Sequence, residues 1–160
     1  MASPYRCTVT IDGSKFDAVS TSVVFETRKD KAGMPEMGSL LTSIRVLVDF
    51  HDDTNLPHGT LKKLFDLSNV VTRDKIKDMK IEFWKDDSKQ DALCSYSFKG
   101  WLSRFETSNP LPEATPMAMS AAAGGGAQSS SPLATINHLL VLDLEPVLNQ
   151  QNFKDISMSN

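Results

Sequence analysis

The sequence is short of cysteine, of sustained apolar runs and of any one-sided charge, and each shortage excludes a class of protein. Cys7 and Cys94 are the only two cysteines among 160 residues. Two thiols so far apart form no disulfide framework and no C-x-x-C metal or redox pair. They read as reduced thiols, with a Cys7–Cys94 bridge left open. The longest apolar run, Leu139 to Leu142, has four residues, against the ~20 that a membrane-spanning helix needs. The opening MASPYRCTVT has no basic stretch followed by an apolar one, so it reads as no secretory signal. The expectation is assembly in the cytoplasm and, for any protein that leaves the cell, export without a signal peptide. A net charge of -3 and a pI near 5.6 offer no grip on nucleic acid or an anionic membrane.

Catalytic signatures are missing as well. There is no G-x-S-x-G elbow, no H-E-x-x-H helix and no phosphate-binding glycine loop. Gly124-Gly125-Gly126 lacks the lysine and the strand–helix setting of a phosphate cradle. His51 stands with Asp49, Asp52 and Asp53 in DFHDD, a pattern open to a metal or His–Asp reading. It falls where a strand runs out into a polar connector, which favours a solvated strand end. His58 reads as a turn residue and His138 as a core or interface side chain. No enzyme, cofactor or metal is expected.

What is present is β structure. Cys7, Val9 and Ile11 alternate with polar neighbours, the period of a half-buried strand. Asp12-Gly13 then marks a type I′ hairpin turn, because both central residues need positive φ. Lys15–Val19 and Thr21–Thr27 continue the pattern. Leu40–Phe50 places Ile44, Val46, Val48 and Phe50 on one face. Thr60–Leu67 carries the one helical pattern, Leu61, Leu64 and Phe65 at i, i+3 and i+4. Strands follow at Asp78–Trp84, Ala92–Phe105 and Thr135–Leu144, with a bend or bulge expected near Gly100. Residues 108–132 form a low-complexity loop rich in Pro, Ala, Gly and Ser, expected to be flexible, and the polar tail NQQNFKDISMSN reads as loose. The sum is a single mainly β domain over residues 1–160, a two-sheet β-barrel of about seven strands with one short α-helix. Apolar residues on second strand faces, namely Leu47, Trp84, Leu139 and Val141, are candidates for subunit contact.

The order of these elements resembles a known family. The hairpin CTVTIDGSKFDAV, the charged Gly/Pro loop RKDKAGMPEMGS, the strand LLTSIRVLVDF, the helix TLKKLFDL, the aromatic pair MKIEFWKDD and LCSYSFKGWLSRFET, and the last strand TINHLLVLDLE are similar to the Hcp tube protein of type VI secretion, in its shorter and divergent versions. The resemblance covers about residues 5–107 and 133–148. It implies homo-hexameric rings stacked head to tail into a tube, driven by a contractile sheath, tipped by a spike and able to carry secreted effectors. Nucleic acid and membrane insertion have no place in it. It assigns ring stacking to the loop with Arg28, Lys29, Asp30, Lys31, Met34, Glu36, Met37 and Leu40. It also turns the charged helix face, Lys62, Lys63 and Asp66, toward the lumen. The Ala/Gly/Ser-rich stretch 114–131 has no counterpart in the pattern. A phage-like contractile tail-tube protein and a monomeric small-ligand-binding β-barrel are the alternatives.

Overall fold

The computed structural model of the chain describes residues 5–109, 136–149 and 154–160. Most of the low-complexity stretch, from residue 110 on, therefore lies outside the described residues. The elements are β1 (Cys7–Ile11), β2 (Ser14–Asp17), β3 (Ser20–Glu26), β4 (Leu41–Asp49), α1 (His58–Ser68), a 3-10 turn at Arg73–Lys75, β5 (Lys77–Trp84), β6 (Ala92–Ser108), β7 (Leu139–Pro146) and β8 (Ile156–Ser159). The turn between β1 and β2 is the expected one: Asp12 has φ 49° and Gly13 φ 77°, the positive pair of a type I′ hairpin.

The mainly β architecture with one helix matches the sequence reading, but the strands form one antiparallel sheet that is not closed into a barrel. Its order is β2-β1-β5-β6-β7-β4-β3, with β8 added to β6. The two ends of this path, β2 and β3, do not lie side by side. They are consecutive pieces of one stretch of chain joined through Ala18-Val19. The Ala18 N–H bonds to the Cys7 carbonyl at 2.9 Å and the Val19 N–H to the Leu47 carbonyl at 2.8 Å. One stretch thus leaves the β1 ladder and joins the β4 ladder in successive residues, and two segments laid end to end cannot close a barrel by pairing with each other.

Strand β6 performs the complementary hand-over. Its first half pairs with β5 and β8, and its second half pairs with β7. Gly100 is the pivot, in register with both Lys77 and Pro146. A Cβ there would stand 2.5 Å from the Glu145 carbonyl oxygen and 3.0 Å from the Phe98 ring. The irregularity foreseen at the glycine falls just beyond it, as a register shift between Leu102 and Arg104.

The inward residues of every strand except β3 and β8 meet in one buried cluster, including Val9, Ile11, Phe16, Ile44, Val46, Val48, Ile81, Leu102, Leu140, Leu142 and Leu144. Helix α1 seals it with Leu64 and Leu67. Phe65, expected among the inward residues, points outward instead and meets Phe105 edge-on at 5.6 Å. Leu67, one turn on from Leu64, takes the inward place. Past the helix, Val70 adopts φ 54°, a left-handed conformation that strains a β-branched residue. The Lys75 ammonium covers the helix end by donating to the carbonyls of Asp66 and Asn69, a cation at the negative end of the helix dipole.

The tail, expected to be loose, pairs instead. Ile156 packs on the core, the Ser159 and Ser95 hydroxyls share a hydrogen bond of 2.9 Å, and Ser157 donates to the Ser97 carbonyl at 3.3 Å. One apolar side chain and two hydroxyls suffice to add β8 to an edge already in place.

Gly100→Ala forces the β6–β7 backbones apart at the pivot. It is expected to cost about 1–3 kcal/mol, the range of an overpacked core site, read as a lower urea midpoint at unchanged slope.

Candidate assembly surfaces

The charged Gly/Pro loop is an ordered arm that prolongs the β3–β4 hairpin. Lys29 and Pro35 form a bridge across it. One Asp30 carboxylate oxygen accepts the amides of Ala32 and Met34, each at 2.9 Å. The Glu36 amide bonds to the Arg28 carbonyl at 2.8 Å, and Ser39 ties Arg28 to Glu36 from the side. Gly33 and Gly38 supply the positive φ values of 83° and 77° at its turns. The arm offers apolar side chains beside its charges: Met34 is 62% exposed and Met37 89%, with Phe25 and Leu41 exposed at its base. Arg28, Lys29 and Lys31 lie exposed along it, while Asp30 is engaged in the turn and Leu40 is only half-buried.

The four second-face candidates part company. Leu47 and Val141 are cross-strand partners on β4 and β7, side by side on the outer face. Beside them Arg45 grips Asp143 with two hydrogen bonds of 2.8 and 3.1 Å, which raises the Arg45 pKa further. Arg104, in register with Asp143 on β6, pairs with Glu106, so a row of alternating charge crosses the sheet. The period-two pattern of β4 signals this row, since Arg45 and Leu47 share a parity. Leu139 is buried and offers no free surface. Trp84 is engaged within the chain. Its indole N–H donates to the Thr8 hydroxyl, and that hydroxyl donates to Asp17, both at 2.9 Å. The Lys89 ammonium pairs with the second oxygen of Asp17, and the Asn55 side chain brackets the Asp17 backbone at 2.7 and 2.9 Å. Nothing in the local sequence announces this network, which joins β1, β2, the connector before α1, β5 and the turn after it.

On α1, Lys62 and Asp66 are exposed, but Lys63 turns to the β1–β2 hairpin. It donates to the Asp12 carbonyl at 2.8 Å and pairs with the Asp12 carboxylate at 3.1 Å. The three residues therefore do not present one charged face.

Among the described residues, no group of three or more His, Cys, Asp or Glu side chains could hold a metal ion. Cys7 and Cys94 are free thiols. Both are in register with Phe83, one on each side of it, so they stand two ladder steps apart, ~9.6 Å. That is beyond the ~7 Å limit of a disulfide, and the bridge left open by the sequence does not form. Burial, opposed by the hydrogen bond to the Thr21 hydroxyl, pushes the Cys7 thiol up to about 11. A surface depression of about 590 Å³ is an open groove beside β1, β5, β6 and β8. The inner faces of the strands are filled by the core side chains themselves.

No family model and no curated protein matches the sequence. Solved structures do match over nearly the whole chain, and they belong to the tubes of contractile machines. Hcp1 from Flavobacterium johnsoniae superposes with a TM-score of 0.55 at 13% identity, over 96% of this chain and 94% of its own. A crystal structure of another Hcp protein gives 0.54 at 9% identity, over 96% of each chain. A chain of the sheath–tube complex of the PVC extracellular contractile injection system gives 0.50 at 18% identity, over 97% of this chain and 88% of its own. The fold is thus that of contractile-injection tube proteins. More particularly, it is the Hcp-like tube fold.

The raised Cys7 thiol gives a pH prediction. Above the unfolded value near 9 the unfolded chain releases this proton while the folded chain keeps it until about 11, so stability falls as pH rises through that window. The expected loss is on the order of 3 kcal/mol, read as a steeper fall of urea-derived unfolding free energy between pH 9 and pH 11 in the native chain than in Cys7→Ala.

Proposed function

We propose that the protein is the structural subunit of the inner tube of a contractile injection machine of the type VI kind. It forms hexameric rings that stack head to tail, sits inside a contractile sheath behind a spike, and carries effectors as it is exported without a signal peptide. It works by assembly and not by catalysis. The observation that carries this reading is the arm. A hairpin tied by its own hydrogen bonds holds two methionines in water, where burial against a neighbour would stabilise each by roughly 1.5–3 kcal/mol.

Head-to-tail stacking needs two unlike patches, and the arm supplies one that reaches beyond the body of the domain. Ring closure needs two more. The outer face carrying Leu47, Val141 and the Arg45–Asp143 pair suits one of them, an apolar centre flanked by charge. The filled core weakens the ligand-binding alternative, which requires an internal cavity.

Light scattering and negative-stain microscopy test the reading. The native chain is expected to run as ring-sized particles that lengthen into tubes at high concentration. Met34→Ser with Met37→Ser is expected to leave the fold and the rings intact and to shorten or abolish the tubes. A strict monomer at high concentration across a range of salt would refute the assembly reading. Unchanged stacking in the double variant would remove the role of the arm. Asp30→Ala tests its rigidity separately: loss of the two turn bonds, about 1 kcal/mol each, should raise amide exchange in residues 30–36 with little change in global stability.

A further inference from the structure

The side chains around the start of β7 form an arrangement that the assembly reading leaves unused. His138 precedes the strand and His51 follows β4. Their rings stack at 5.3 Å between centroids with 19° between planes. Phe50 meets the His138 ring edge-on at 5.5 Å, and the Phe50 amide donates to the His138 carbonyl at 3.2 Å, the last rung of the β4–β7 ladder. His138 Nδ1 is sealed from solvent and is the one buried side-chain nitrogen or oxygen with no hydrogen-bond partner among the described residues. Ile136 and Leu139, on either side of it, are buried apart from the main core cluster.

We propose that the stacked His51–His138 pair is a proton-operated latch that holds residues 136–139 against the end of β4 at neutral pH and releases them in acid. Imidazole is the side chain whose charge changes between about pH 8 and pH 5. Neutral rings stack without penalty, and a single proton is tolerated, since a cation rests against a neutral ring. The charged groups of this region are carboxylates. Asp49 lies at the end of β4, with one oxygen already accepting the His51 amide at 3.0 Å. Asp52 lies on the connector, its Oδ1 engaged by the Thr54 and Asn55 amides. Asp53 is exposed beside it. Tyr5 packs near Asp49 and Asp52, and burial followed by those two charges pushes its phenol up, so it stays neutral. From β6 the neighbour of Leu139 is Ser108, which carries no charge.

A second proton is different. It sets like charges face to face in the stack, and an N–H created at His138 Nδ1 has neither an acceptor nor water. A buried donor without a partner is not sustained. The rings separate, the Phe50–His138 rung opens, and Ile136 and Leu139 lose their cover. This release does not depend on whether the chain assembles, so it stands or falls apart from the tube reading.

Amide hydrogen exchange on the full-length chain, corrected for the intrinsic pH dependence, tests the latch at Phe50, Leu139 and Leu140. Between pH 7.5 and pH 5 the native chain is expected to lose protection there by on the order of tenfold or more, with Val9, Ile81 and Leu142 unchanged. His138→Phe keeps the stack and the edge contact without a titrating ring, and its protection should stay flat across the range. If His138→Phe alters the circular dichroism, His138→Leu, which also removes the titrating ring, takes its place and should likewise stay flat. Constant protection in the native chain overturns the proposal, as does the same loss persisting in the phenylalanine variant.

Discussion

Everything in this fold depends on one strand serving two ladders. β6 pairs with β5 through residue 100 and with β7 from residue 100 onward, so it carries β1 and β2 on one flank and β4 and β3 on the other. Such a hand-over draws two neighbouring backbones together at a single residue. Only glycine lets the Glu145 carbonyl come as close as it does at Gly100, a close approach of the kind glycine permits. The strand's length follows from the same demand, because 17 residues are needed to offer a full ladder to each side. The stretch from Ser14 to Glu26 makes a second crossing between the two regions. These two crossings curl an unclosed sheet around a single core.

The helix completes that core and does not organise it. Its first turn lacks acidic residues and its last lacks basic ones, so little in α1 itself favours helix over coil. Leu64 and Leu67, buried on the sheet, and the Lys75 ammonium on its last carbonyls supply what the segment lacks. The strain at Val70 is the cost of turning the chain from the helix end toward β5 where glycine is absent.

Strands were legible wherever alternation ran unbroken over one buried face. β1, β4, β5 and β7 fall where Val9, Ile44, Val46, Ile81 and Leu142 put them, and Asp12-Gly13 announced its own turn. Elements that rest on tertiary partners were not legible. β8 exists because β6 offers an edge to Ile156 and two serine hydroxyls, and four alternating residues at the end of a polar tail are too short a signal to announce a strand. The helical pattern places Phe65 inward and the structure places Leu67 there, two positions on, since both continue the Leu61–Leu64 stripe and only the sheet decides between them. The apolar second faces were visible but their fate was not. Leu47 and Val141 met across the sheet, whereas Trp84 was taken by Thr8 and Leu139 by the satellite around Ile136. The arm was recognisable as a loop from Gly33, Pro35 and Gly38. Its order was hidden, because that order depends on one Asp30 oxygen receiving two amides.

The ordered arm bears on what the exposed methionines mean. A loop that samples many conformations exposes apolar side chains at no particular place, and binding them requires ordering the loop first. Here the ordering is already done by backbone and Asp30 hydrogen bonds within residues 28–39, and no core burial requires it. Hydrophobic side chains held out on a pre-ordered hairpin are poorly explained by the stability of one chain, since water opposes their exposure and the fold gains nothing from them. They are well explained by a partner that meets them in a fixed geometry. If the chain assembles as proposed, that partner is another copy, and local order in the arm lowers the entropic cost of each junction. The Met34 and Met37 thioethers suit that position, because their unbranched side chains adapt to the surface they meet while the backbone beneath them stays fixed.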